Sequence, residues 1–219
     1  MNTLVAQANQ LMRGIGVDYA ICGGFAIELF LGREIRSHGD IDVSLYWNER
    51  DKTVLYMLQA GWQIYEMCGG GMAHRITSVY DQRREKRNLF CMKEGCALVK
   101  LSALREINMF AVDFDHSGQK KLDFIEFLFN DKTEAGFSYA RNPQITRPLA
   151  QAIQSREGVP YLAPELVLLY KSTDIAREGY RQDFDEARGH MTREQLDWLQ
   201  NALRVMNPLG HPWMAACGD

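Results

Sequence analysis

Leu4, Val5, Ala8, Leu11 and Met12 recur on one helical face, and Gly14 and Gly16 end the pattern, so the chain opens with an amphipathic helix. A strand over about 17–22 follows. After Gly23 and Gly24 the segment FAIELFL reads as a short buried helix, and the polar stretch GREIRSHG leads into a β-rich run, DIDVSLYW. The order is strand, glycine turn, helix, loop, strand. Asn48 is placed to cap a helix over 49–60 with its side-chain oxygen, and Gly61 to terminate it.

The middle of the chain is β-rich: WQIYEM, a glycine loop, then short strands around ITSVY, NLFCM and ALVKL. A hairpin is expected over 107–129, where EINMFAVDF and KKLDFIEFLF flank the turn sequence DHSG, and its second arm carries a carboxylate into an otherwise apolar strand. From Pro160 the pattern turns helical. Pro164 suits a first turn, Leu166, Leu169 and Tyr170 recur at helical spacing, and Thr192 with Gln195 predicts a capping box. A polar segment with three prolines, 142–160, marks the join, giving domains of 1–145 and 146–219.

The chemistry-bearing feature is the pair Asp40 and Asp42. At i and i+2 in a strand both side chains leave one face, while Ile41, Val43 and Leu45 anchor the other. Two carboxylates held that close repel, and a hard cation such as Mg²⁺ relieves the repulsion while keeping places open for phosphate oxygens. Gly23 and Gly24, between a strand and a helix, offer unhindered N–H groups and a positive helix end to a phosphate. Ser37 and Ser44 add hydroxyls nearby in sequence.

Composition narrows the partner. With 25 basic against 28 acidic residues and a net charge of -3, the chain lacks the basic surplus of a protein that holds a long nucleic-acid backbone, which favours a small-molecule or nucleotide substrate. No apolar stretch approaches the roughly 20 residues that cross a bilayer, and MNTLVAQANQ lacks a basic region followed by an apolar run, so a cytoplasmic location is expected. Five cysteines with no CxxC pair read as free thiols; a metal site joining Cys91 and Cys96 to His74 or His116 lacks a second closely spaced pair. No GxxxxGK[ST] occurs, which disfavours a P-loop kinase.

GG, a short helix, then DID in the next strand resembles the nucleotidyltransferase superfamily that includes DNA polymerase β. The stretch CGGFAIELFLGREIRSHGDIDVSL, with Gly32, Arg33, Arg36 and His38, resembles the aminoglycoside 2″-adenylyltransferase-like branch of antibiotic nucleotidyltransferases. YLAPELVLLYKS, RQDFDEA and the closing HPW resemble that branch too, so the likeness spans most of the chain. It implies an α+β fold, a nucleotidyltransferase-type mixed β-sheet with packed helices followed by a smaller helical C-terminal domain.

The resemblance further implies two Mg²⁺ ions on Asp40 and Asp42, ATP or another nucleoside triphosphate as co-substrate, and a small-molecule hydroxyl as acceptor. It implies a third carboxylate on a later strand, as ligand or base: Asp123 is the first choice, with Glu126 and Asp113 as alternatives. Strand alternation puts Asp123 and Glu126 on opposite faces, so only one of them joins the pair. Gly23, Gly24, Arg36, His38 and Lys171 are the expected phosphate contacts, and Asp183 and Asp185 are read as structural partners of Arg177 or Arg181. The basic run Arg83 to Arg87 is read as a solvated loop and Trp47, Trp62 and Tyr80 as core. An aminoglycoside or lincosamide-like acceptor is favoured; addition to a protein or RNA end and a non-catalytic nucleotide-binding module are the other classes. A cationic acceptor calls for acids such as Glu28, Glu66, Asp113, Asp115 and Glu126 near the site.

Overall fold

The computed structural model describes residues 2–115 and 118–217. The first half runs α1 (Thr3–Ile15), β1 (Tyr19–Cys22), α2 (Gly23–Leu31), β2 (Asp42–Tyr46), α3 (Arg50–Gln59), β3 (Gln63–Gly69), β4 (Met72–Ile76) and β5 (Asn88–Met92). It continues through β6 (Val99–Ala103), β7 (Met109–Phe114), β8 (Phe124–Thr133), β9 (Gly136–Ser138), β10 (Thr146–Arg147), α4 (Leu149–Ala152), β11 (Ile153–Arg156) and β12 (Val159–Leu162). Four helices close it: α5 (Pro164–Lys171), α6 (Tyr180–Arg188), α7 (Arg193–Met206) and α8 (Pro212–Ala216).

The chain divides into two compact units, Met1–Ile21 with His38–Asp131, and Cys22–Ser37 with Lys132–Asp219. This is not the linear cut near 142–160 that the prolines suggest. The segment 22–37 belongs with the C-terminal part because α2 is apolar on nearly every side, burying Phe25, Ala26, Ile27 and Leu29, and its neighbours are α5, α6 and β12.

In the first unit the strands lie in the order β1-β2-β8-β5-β3-β4-β7-β6. β2 and β8 are parallel; β8-β5, β5-β3, β3-β4, β4-β7 and β7-β6 are antiparallel. The expected hairpin over 107–129 does not form. β7 pairs with β4 and β6, and β8 pairs with β2 and β5, three strands away from β7. An alternative hairpin, β6 with β7, takes the place. The physical reason is burial: Ile125, Phe127 and Phe129 on one side of β8 are at most 1% exposed, which suits a place in the sheet interior rather than at an edge hairpin. Of the expected turn DHSG, His116 and Ser117 lie outside the described residues.

Two smaller expectations shift. Asn48 lies in a 3-10 turn, Trp47–Glu49, and the helix begins after it at Arg50. ITSVY contributes only Ile76 to β4 before the chain turns. Tyr65, Phe90, Leu98, Val99 and Phe124 pack into one core, with Tyr65 stacked on Phe90 at 5.0 Å.

The second unit is less purely helical than expected. β11 and β12 form a hairpin whose turn residues, Glu157 (φ 52) and Gly158 (φ 77), both take positive φ, as the tight primed turns require. α7 starts with the predicted capping box: Thr192 accepts from the Gln195 N–H, and the Gln195 side chain accepts from the Thr192 N–H. The HPW motif docks α8. His211 accepts from the Trp213 N–H through Nδ1 and so donates through Nε2 to the Ser172 carbonyl at 3.0 Å, while Trp213 stacks on Phe184 at 4.3 Å.

Candidate functional site

β2 presents Asp42 and Ser44 on one face and buries Val43 and Leu45 on the other, with Ile41 also fully buried. Asp40 lies outside the strand, in the loop that leads into it. β8 runs parallel in the register Asp42↔Glu126, Ser44↔Leu128, Tyr46↔Asn130, and the Glu126 N–H donates to the Ile41 carbonyl at 3.0 Å. Paired residues in neighbouring strands point to the same face, so Asp42 and Glu126 stand side by side. Carboxylate oxygens of Asp40, Asp42 and Glu126 lie within 4.8 Å of one another, and all three residues are half-buried.

Glu126, and not Asp123, is the acid brought to the pair. Asp123 precedes β8 and, by alternation, faces away; it accepts from the Cys96 thiol at 3.8 Å and has Lys121 Nζ at 3.7 Å. Asp113 sits in β7 opposite Lys100, four strands from β2 by way of β8, β5, β3 and β4. A signal for Glu126 was available: it is the single acid inside the apolar run FIEFLF. Further along the same face Asn88 Nδ2 donates to Glu126 Oε1 at 2.9 Å and Asn130 Nδ2 donates to Ser44 Oγ at 2.9 Å. Tyr46, also on this face, has its hydroxyl pushed up to about 12 by burial and then by Asp18, so it stays protonated at neutral pH. The donor set is three hard oxygen ligands, the kind Mg²⁺ takes.

Several other acids and bases of this unit pair away from the cluster. Glu66, 1% exposed, accepts from Arg50 at 2.8 Å, from His74 at 3.2 Å, from the Arg84 N–H at 2.9 Å and from the Arg83 N–H. The basic run is tied down: Arg83 to Glu106, Arg84 to Asp51 and Arg87 to Asp131. Trp47 packs edge-on to Phe129 beneath Arg50 and Arg87, Trp62 lies under Lys93, and Tyr80 is exposed rather than core. His38 is half-buried in the loop that leads to Asp40. All five cysteines are free, and among the described residues the three carboxylates are the one cluster suited to a metal.

In the second unit, Gly23 opens α2 at φ 64, a conformation that favours glycine, with Gly24 next. Glu28, buried in α2, accepts from the N–H groups of Ile35 at 2.9 Å and Arg36 at 3.4 Å, which shapes the loop after the helix. Arg36 grips Asp183 through Nε and Nη2 at 2.8 and 2.9 Å. Lys171, 5% exposed, reaches the same carboxylate at 2.8 Å and lies 4.0 Å from the Tyr180 ring centre. Asp183 is therefore the hub for Arg36 and Lys171 rather than a partner of Arg177 or Arg181; Asp185 takes Arg181 at 2.7 Å. Two cations on one carboxylate leave a local charge of about +1.

Residues 4–70 match the family model described as aminoglycoside-2″-adenylyltransferase. No curated protein matches the chain in sequence. Among solved structures, the lincosamide antibiotic adenylyltransferase LnuA with lincomycin bound is similar, at TM-score 0.54 and 13% identity over 86% of this chain and 96% of its own. ANT(2″)-Ia in complex with adenylyl-2″-tobramycin gives 0.52 and 14%, over 94% and 99%. The fold is that of the antibiotic nucleotidyltransferases. The segment matched to the adenylyltransferase family holds Gly23, Gly24, Arg36, His38, Asp40 and Asp42, and ends before Asn88, Glu126 and Lys171. The antibiotic nucleotidyltransferase fold thus rests on a locally readable N-terminal stretch plus strands and helices contributed from much later in the chain.

Proposed function

We propose that this chain transfers a nucleoside monophosphate, AMP from ATP, to a hydroxyl of a small-molecule antibiotic of the aminoglycoside or lincosamide class, in a Mg²⁺-dependent reaction. The observation that carries the reading is the register Asp42↔Glu126, which joins Glu126 to Asp40 and Asp42 within 4.8 Å. Asp40, Asp42 and Glu126 would hold the Mg²⁺. Bound there, Mg²⁺ neutralises charge on the triphosphate and stabilises the entering and leaving oxygens of an in-line displacement. The acceptor oxygen bonds to the α-phosphorus, the bond to the β-phosphate bridge breaks, pyrophosphate leaves, and the hydroxyl proton passes to solvent.

The remaining residues bind and position. In this reading Gly23 and Gly24 supply backbone N–H groups for phosphate, and Arg36 and Lys171, which share Asp183 and keep about one net positive charge, supply cationic groups for it. His38 supports the loop that carries Asp40. The antibiotic acceptors are supported by the 4–70 family match and by the lincomycin and adenylyl-tobramycin in the two similar structures.

The test is pyrophosphate release from Mg-ATP and other triphosphates against a panel of aminoglycosides and lincosamides, with Asp42→Asn as the blank. Acceptor-dependent release that falls by at least about a thousandfold in Asp42→Asn is expected, since positioning and charge stabilisation supply most of the rate. Silence across the panel with Mg-ATP still bound would sink the antibiotic acceptor.

A further inference from the structure

β5 runs antiparallel to β8 in the register Asn88↔Leu128, Phe90↔Glu126. Asn88 is therefore the diagonal neighbour of Glu126 on the carboxylate face, within reach of a long side chain. Its Nδ2 donates to Glu126 Oε1 at 2.9 Å. A carboxylate at neutral pH only accepts hydrogen bonds, so the amide must turn its NH₂ edge to Glu126. Asn88 itself is seated firmly. The Phe129 N–H donates to the Arg87 carbonyl at 2.7 Å, and Arg87 pairs with Asp131 at 2.9 Å beside it.

Glutamate differs from the two aspartates in its extra methylene. Glu126 has one more side-chain torsion than Asp40 or Asp42 to fix before its oxygens meet theirs. On its other flank stands Phe90, 1% exposed and packed on Tyr65 and Phe124, a wall that confines the carboxylate without hydrogen-bonding it. An arginine or lysine at position 88 would fix Glu126 equally well, but its charge would compete with a cation for the same carboxylate. A neutral amide holds one oxygen and leaves the charge of the cluster intact.

We infer that Asn88 is a positioning residue that orients Glu126 as a metal ligand, acting through the carboxylate without touching metal or substrate. The inference rests on the metal reading above. Outer hydrogen-bond partners of metal ligands are worth about 10- to 100-fold in metal affinity or activity.

The test is Mn²⁺ titration of the full-length protein, followed by loss of the free-ion paramagnetic resonance signal, on wild type, Asp42→Asn, Asn88→Ala, Asn88→Leu and Asn130→Leu. Asn88→Leu keeps the branched shape of the side chain and removes its polar atoms, so it serves if the alanine variant folds poorly. Asn130 bonds Ser44 on the same face and controls for a merely structural loss. Expected are an affinity about tenfold weaker in both Asn88 variants, wild-type affinity in Asn130→Leu, and pyrophosphate release that needs more Mg²⁺ for half-saturation while kcat at saturating Mg²⁺ changes less. Wild-type affinity in the Asn88 variants, with binding lost in Asp42→Asn, overturns the role of Asn88 and leaves the metal reading standing. A wild type that binds no Mn²⁺, or Asp42→Asn binding as tightly as wild type, overturns the metal reading and this inference with it.

Discussion

A carboxylate buried away from water takes up a proton unless positive neighbours hold it ionised. Asp183 shows the second outcome: burial pushes its pKa up, but the hydrogen bonds and charges of Arg36 and Lys171 outweigh that and hold it below the usual carboxylate range. Because the folded value is lower than the unfolded one, the stabilisation is fully present above about pH 4 and is lost as pH falls through the folded value. Asp183→Asn strands two cations in the fold and should cost about 3–5 kcal/mol, read as a lower urea midpoint at pH 7. The same variant should also flatten the acid limb of the stability curve. An unchanged midpoint with an unchanged acid limb would remove Asp183 from its place as hub.

Short-range patterns carry the elements that the sequence predicts well. The α1 face, the strand NLFCM and the Thr192 capping box each depend on residues within about one or two turns of one another. Thr192→Ala should cost about 1 kcal/mol through the loss of one satisfied N–H, visible as a drop in melting temperature with the circular dichroism of the folded state preserved. A drop of nothing would mean that α7 is held by packing alone. Long-range pairing is where reading the chain stops. DHSG is good turn chemistry, yet β8 goes to β2 and β5, because the choice of partner is made by which strands can cover Ile125, Phe127 and Phe129. Which acid stands beside Asp42 follows from the same cause: Asp123 or Glu126 is a question of alternation, set only once the strand start at Phe124 and its register against Asp42 are known. Asn88 had no local signal at all, since an asparagine opening an apolar strand looks like a strand terminus.

At the scale of the molecule, charge is nearly balanced, with a net of -3, and the most basic stretch is neutralised by Glu106, Asp51 and Asp131 in place. Binding to a polyanionic backbone grows with the number of phosphates neutralised and the counterions released, and Arg83, Arg84 and Arg87 of the basic stretch are already paired with carboxylates. Labelled single-stranded and duplex DNA should therefore migrate unretarded with micromolar protein at physiological ionic strength. A retarded band that vanishes with added salt would reopen a macromolecular acceptor.

Asp42 and Glu126 are neighbours in space and 84 positions apart along the chain, 126 less 42. On a ribosome, β2 leaves the exit tunnel seconds ahead of β8 at ordinary elongation rates. Through that interval the aspartate pair exists without Glu126, and on the proposed metal reading a nascent or prematurely ended chain that stops short of Phe124 lacks one of the three carboxylates. Tight uptake of Mn²⁺ would then double as a certificate that synthesis has passed β8 and that the parallel register has closed.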